Sequence, residues 1–219
     1  MINFFSKIYH CFFPNACLFC GEYLPPKIYA CKECLPDDFI ERIFNIRVSR
    51  QRFFLKVYSL DLYENEIQKN IRHLKFHGFY SYSKKFMSVI YPLFHKYNLD
   101  SYDAICYVPM TKKHEYERGY NQAKLLAQNL STLSNIPVKD YIKKVKSNKT
   151  QHSLNAKLRW KNIQNVYAVT EDLRGKKILL IDDILTTGAT LCECAKTLYK
   201  MGAGSVTGIT VACVKYEPS

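Results

Sequence analysis

The stretch Lys177-Ile178-Leu179-Leu180-Ile181-Asp182-Asp183-Ile184-Leu185-Thr186-Thr187-Gly188-Ala189-Thr190 limits what this chain can fold into more than any other. Its apolar run reads as a strand buried on both faces, a situation found in parallel sheets covered by helices. Two carboxylates close the run, a hydroxyl-rich turn with one glycine follows, and a helix begins. Ligands of open α/β sheets bind at the carboxyl ends of strands. Unpaired N–H groups and the positive end of a helix favour phosphate at that place. Gly188 lets backbone come close to an anion, Thr186, Thr187 and Thr190 add hydroxyl donors, and Ala189 lies within the same turn. Asp182 and Asp183, read as anions, suit the diol of a ribose rather than a phosphate. Helix capping explains one or two of these residues but not the string. Phosphate and ribose recognised side by side mean a ribose phosphate.

The rest of the chain supplies a sheet and its helices. Strands are expected at Phe53 to Leu60, Asp103 to Val108, Lys176 to Ile181 and Val206 to Val214. Helices are expected at Glu64 to Lys75, at Ser83 to Tyr97 with a kink or an interruption at Pro92, at Asn121 to Leu133 and at Ala189 to Met201. Alternating strands and helices predict a mainly parallel sheet with both faces covered. The 219 residues suffice for one sizeable domain, 51–219, and a small module with a basic connector, 1–50.

That module holds Cys17-Leu18-Phe19-Cys20 and Cys31-Lys32-Glu33-Cys34. Two Cys-x-x-Cys pairs suit a closed, tetrahedral, structural Zn²⁺. Nine cysteines without a recognisable secretory signal point to a reducing cytosol, where a disulfide or redox pair is the poorer reading. No run approaches the length of a membrane span. Phe5, Tyr9 and Phe13, with Phe4, Ile8 and Phe12, fall at helical spacing, which suits either a helix on a membrane surface or one docked on the module.

Three further strings complete the pattern. Val108-Pro109-Met110 leads to Arg118-Gly119-Tyr120-Asn121-Gln122-Ala123. Upstream is Ile71-Arg72-His73-Leu74-Lys75-Phe76-His77-Gly78, and downstream are Lys149-Thr150-Gln151-His152-Ser153-Leu154 and Arg159-Trp160-Lys161-Asn162. The aspartate–threonine segment resembles the binding motif for 5-phosphoribosyl diphosphate (PRPP) in type I phosphoribosyltransferases. With the cysteine module, the whole resembles the ComF family of competence proteins over nearly the full length. Tyr120 stands where that family more often has Phe.

The resemblance implies a type I phosphoribosyltransferase fold, with Asp182 and Asp183 on the ribose as the catalytic pair and Thr186, Thr187, Gly188, Ala189 and Thr190 around the 5-phosphate. The loop Val108 to Lys113 is expected to hold diphosphate through Pro109, Met110, Lys112 and Arg118, with Mg²⁺ bridging ribose and diphosphate oxygens. The basic stretch Lys143 to Lys161 is placed where such enzymes carry a lid. The resemblance also implies a cytoplasmic role in natural transformation on single-stranded DNA, near DNA-import proteins at the inner membrane. A net charge of +13 agrees with an anionic partner. Phe76, Phe79, Tyr80, Tyr82 and Trp160 are candidate stacking groups, each also a candidate core residue. A Mg²⁺-dependent phosphoribosyltransferase of nucleotide metabolism is the alternative.

Overall fold

The computed structural model describes residues 15–76, 78–145 and 165–215. The aromatic segment before Asn15, Lys149 to Leu154, Arg159 to Asn162 and most of the basic stretch ending at Lys161 lie outside the described residues. Strands β1 (Ile40–Val48), β2 (Gln51–Leu62), β3 (Ala104–Tyr107), β6 (Lys177–Leu185) and β7 (Ser205–Cys213) form a sheet in the order β1-β2-β7-β6-β3. A second sheet pairs β4 (Ile142–Lys144) with β5 (Tyr167–Val169) antiparallel. The α-helices among the described residues are α1 (Asn65–Phe76), α2 (Ser81–Lys96), α3 (Lys112–Arg118), α4 (Gln122–Ser134) and α5 (Ala189–Lys200), with a 3-10 turn at Leu99–Ser101.

β2, β7, β6 and β3 run parallel, and β1 joins β2 as an antiparallel hairpin. This is the mainly parallel sheet that the alternating pattern predicts. Ile178, Leu179, Leu180 and Ile181 are fully buried in β6. Each contributes about 1.5–3 kcal/mol from its burial. Alternate residues serve opposite faces. Ile178 and Leu180 pack with Cys194, Ala195 and Leu198 of α5. Leu179 and Ile181 pack with Ile71, Ile90 and Leu126 of α1, α2 and α4. Tyr107 stands opposite Ile181, so β3 leaves the sheet level with the two aspartates.

Three elements depart from the expectation. The basic connector is strand β1: Ile40, Arg42, Phe44, Ile46 and Val48 are the less exposed residues of a two-residue alternation, and Arg42 donates to the Val214 carbonyl. The helix through Pro92 runs uninterrupted from Ser81 to Lys96. Residues 112–118 form helix α3, capped when the Thr111 hydroxyl accepts the His114 N–H at 3.1 Å. The expected open loop after β3 is therefore confined to Val108–Thr111.

The cysteine module packs on the α1–α2 side of the sheet. Leu18, between Cys17 and Cys20, is buried in that core. Its carbonyl accepts the side-chain amide of Asn70 on α1 at 3.0 Å. Phe39 stacks on Tyr58, 5.5 Å between ring centroids, and Lys96 donates to Asp38 at 2.7 Å.

Candidate functional site

A cleft of about 570 Å³ opens at the carboxyl ends of β3 and β6. Its walls bring together Pro109, Met110, Arg118, Asp182, Asp183, Thr186, Gly188 and Thr190. Three of the expected residues are not on the wall. Thr187 and Ala189 sit behind it in the turn, with the Ala189 N–H 3.4 Å from the Thr187 hydroxyl. Lys112 starts α3 and is exposed away from the cleft lining.

The strand's alternation sends the two aspartates to different neighbours. Asp183 is buried, receiving Lys75 of α1 at 3.0 Å and the Gln122 side-chain amide of α4 at 2.7 Å. Asp182 is half-buried and shares the other side of the cleft with Lys144 and Tyr167. Burial first, and the charge of Asp183 second, push the Asp182 carboxyl up to about 8, against the pull of Lys75 and Lys144. Desolvation penalises the charged form of an acid. The pair is thus unequal: Asp183 lies in an ion pair, and the Asp182 carboxyl is held above the usual carboxylate range. This inequality has no signature in the string itself, because residues far apart in the chain make the shared environment.

The string Arg118 to Gln122 builds one wall, each residue with its own task. Gly119 ends α3 in the left-handed region, φ +81°. The Tyr120 hydroxyl donates to the Leu74 carbonyl in the last turn of α1, a tie that a Phe lacks. Asn121 donates to the Val108 carbonyl at 3.1 Å and accepts the Lys124 N–H at 3.2 Å, capping α4. Gln122 accepts from Arg118 at 2.7 Å while donating to Asp183. Lys75 and Gln122 stood in strings singled out by resemblance, but only the fold makes them partners of Asp183. Lys144 stood in the basic stretch that begins at Lys143, and only the fold sets it in the cleft with Asp182.

Gly188 lies at φ +78°, and a Cβ there would fall 2.5 Å from the Phe44 ring of β1. The residue is therefore demanded twice, by the turn and by the hairpin packed behind it. The turn delivers the start of α5 to the cleft with Thr186 exposed.

Among the described residues, the Sγ atoms of Cys17, Cys20, Cys31 and Cys34 all lie within 4.8 Å of one another. Cys31 Sγ is 3.9 Å from both Cys17 and Cys20. A tetrahedral thiolate site with zinc–sulfur bonds of ~2.3 Å has edges of ~3.8 Å, so the four thiols fit such an ion. Burial raises the Cys17 thiol, but N–H groups of Cys20, Cys31 and Phe19 outweigh it and bring it down to about 7. Donors aimed at sulfur favour the thiolate that a metal needs.

Residues 116–218 match the phosphoribosyl transferase domain family. Competence protein F of Haemophilus influenzae is 38% identical over 108 residues, covering 48% of this chain and 47% of that protein. DNA utilization protein YhgH of Escherichia coli is 33% identical over 105 residues, covering 48% and 46%. The chain thus spans about half the length of these two relatives. Competence protein ComFC of Bacillus subtilis is 30% identical over 200 residues, 90% of this chain and 77% of that protein. A solved purine phosphoribosyltransferase from Pyrococcus horikoshii aligns over 59% of this chain and 76% of its own, with 21% identity and a TM-score of 0.37.

Proposed function

Because this chain belongs to the ComF family of competence proteins, we propose that it serves natural transformation, binding PRPP or a related ribose phosphate in the cleft and single-stranded DNA as its macromolecular partner. The observation that carries the ligand reading is the convergence of Asp182, Asp183, Thr186, Gly188, Thr190 and Arg118 on one cleft at a strand's carboxyl end. In this reading the N–H groups of the turn bind the 5-phosphate. The acidic pair receives the ribose hydroxyls, and Arg118 meets the diphosphate. Asp183 already accepts Lys75 and Gln122 through Oδ2, and Mg²⁺ brought in with the ligand would supply neutralisation of the diphosphate charge. Cys17, Cys20, Cys31 and Cys34 would hold Zn²⁺, which would couple folding of the module to metal binding.

The protein acts in the cytoplasm, beside DNA-import proteins at the membrane face. Among the described residues no helix is long and apolar enough to cross a membrane. Exposed Phe76, Phe79 and Tyr80 support the stacking role, whereas Tyr82 packs against the core. The match to the phosphoribosyl transferase domain supports a second reading, a transferring enzyme of nucleotide metabolism. Diphosphate release on adding a base or amine acceptor distinguishes it.

Calorimetric titration of PRPP with Mg²⁺ tests the cleft. Saturable binding to the wild type is expected, weakened at least about ten-fold, or roughly 1.4 kcal/mol, in Asp182→Asn/Asp183→Asn. Equal binding by the folded variant would remove the ribose-phosphate reading.

A further inference from the structure

Phe76, the last residue of α1, lines the cleft and is nevertheless 60% exposed. The Arg118 guanidinium lies 5.1 Å from its ring centroid. Arg118 is held in turn by Gln122, and Gln122 by Asp183, each at 2.7 Å. One chain of contacts therefore runs from the carboxylate pair to an aromatic platform at the rim. Beside it, exposed Tyr80 sits edge-on to Tyr120, 4.7 Å between centroids. A solvent-facing ring braced by a cation, in a cleft that also carries Lys75 and Lys144, matches how proteins stack the bases of single-stranded nucleic acid.

We infer that the cleft receives the 3′-terminal nucleotide of a DNA strand, so that strand ends and PRPP compete for one site. The inference rests on the ribose-phosphate reading above. The terminal base stacks on Phe76, its 5′ phosphodiester occupies the turn at 186–190, and its free 3′-hydroxyl donates to the aspartates. The acidic pair sets the polarity. An internal nucleotide, or one at a 5′ end, carries a phosphate on its 3′ oxygen. That second anion would crowd the Asp183 carboxylate, and like charges at contact distance repel. A free hydroxyl instead donates to a carboxylate. Thr186 is exposed, which leaves the preceding strand a path from the turn to solvent. A cleft of about 570 Å³ is of ligand-binding size.

Fluorescence anisotropy of the full chain with 5′-labelled oligothymidylate at low salt tests this. PRPP with Mg²⁺ is expected to displace the oligonucleotide, and a 3′-terminal phosphate to weaken binding at least ten-fold. Circular single-stranded DNA should compete poorly. Phe76→Ala should weaken binding roughly ten-fold, the scale of a lost stacking contact, while Phe76→Trp restores it. The exposure of Phe76 predicts an unchanged melting temperature for the alanine variant. Equal affinity for free, 3′-phosphorylated and circular strands, without displacement by PRPP, would overturn the inference. So would a failure of thymidine 5′-monophosphate, which offers the same base, 5′-phosphate and free 3′-hydroxyl, to compete at all. If PRPP still binds calorimetrically in either case, only the strand-end assignment is lost. If PRPP binding fails as well, the reading beneath it is lost too.

Discussion

At the scale of single residues, Asp182 and Gly188 show how a short string takes its properties from distant neighbours. The folded Asp182 carboxyl holds its proton up to about 8, whereas an unfolded aspartate releases it near ~4. Between those values the folded state binds more protons, so this residue's contribution to stability falls as pH rises through the window. Urea melts at about pH 5 and about pH 8 should show that loss, and Asp182→Asn should reduce the slope. An unaltered slope in the variant would assign the dependence elsewhere. Gly188→Ala must hold a left-handed φ and displace the Phe44 ring. It should cost about 2 kcal/mol or more in chemical denaturation. The need for a glycine in the turn was legible in the sequence. Its second cause was not, because Phe44 belongs to a hairpin more than a hundred residues earlier.

At the scale of elements, α1 joins two features that the sequence keeps apart. Its middle receives the cysteine module through Asn70 and the Leu18 carbonyl, and its end presents Lys75 and Phe76 to the cleft. Stripping the metal with a strong chelator should therefore lower the melting temperature of the whole protein, since metal binding in such modules is coupled to folding. Scanning calorimetry reads this directly, and a transition indifferent to chelation would refute a structural metal. The long elements were legible because their periodicity extends over several turns or strand repeats. β6, α4 and α5 each lie within a few residues of expectation. Strand β1 was obscured by its arginines, although its alternation was present. β4 and β5 each have three residues and are separated by more than twenty. Neither length nor local pattern marks such a pair, which forms through tertiary packing.

At the scale of the whole molecule, sheet order explains the site. The order β1-β2-β7-β6-β3 puts β6 beside β3, so the turn after one strand and the loop after the other face a common cleft. Strand content and the ligand-bearing edge followed from the sequence. The antiparallel β1 at the far edge did not, nor did the ion pair that closes the cleft's α1 side. The charge of +13 belongs to this scale as well. Single-strand affinity should fall with salt at a log–log slope of about −0.7 per phosphate neutralised, giving about −2 or steeper for three contacts. Binding that ignores salt would remove the electrostatic part of the proposal.

A crystal structure with PRPP and Mg²⁺ would show whether the turn after β6 holds a sugar phosphate. The 5-phosphate should lie within hydrogen-bond distance of the N–H groups at 186–190, with the ribose hydroxyls turned to Asp182 and Asp183. A ligand bound elsewhere at full occupancy, or a phosphate lodged away from that turn, would contradict it.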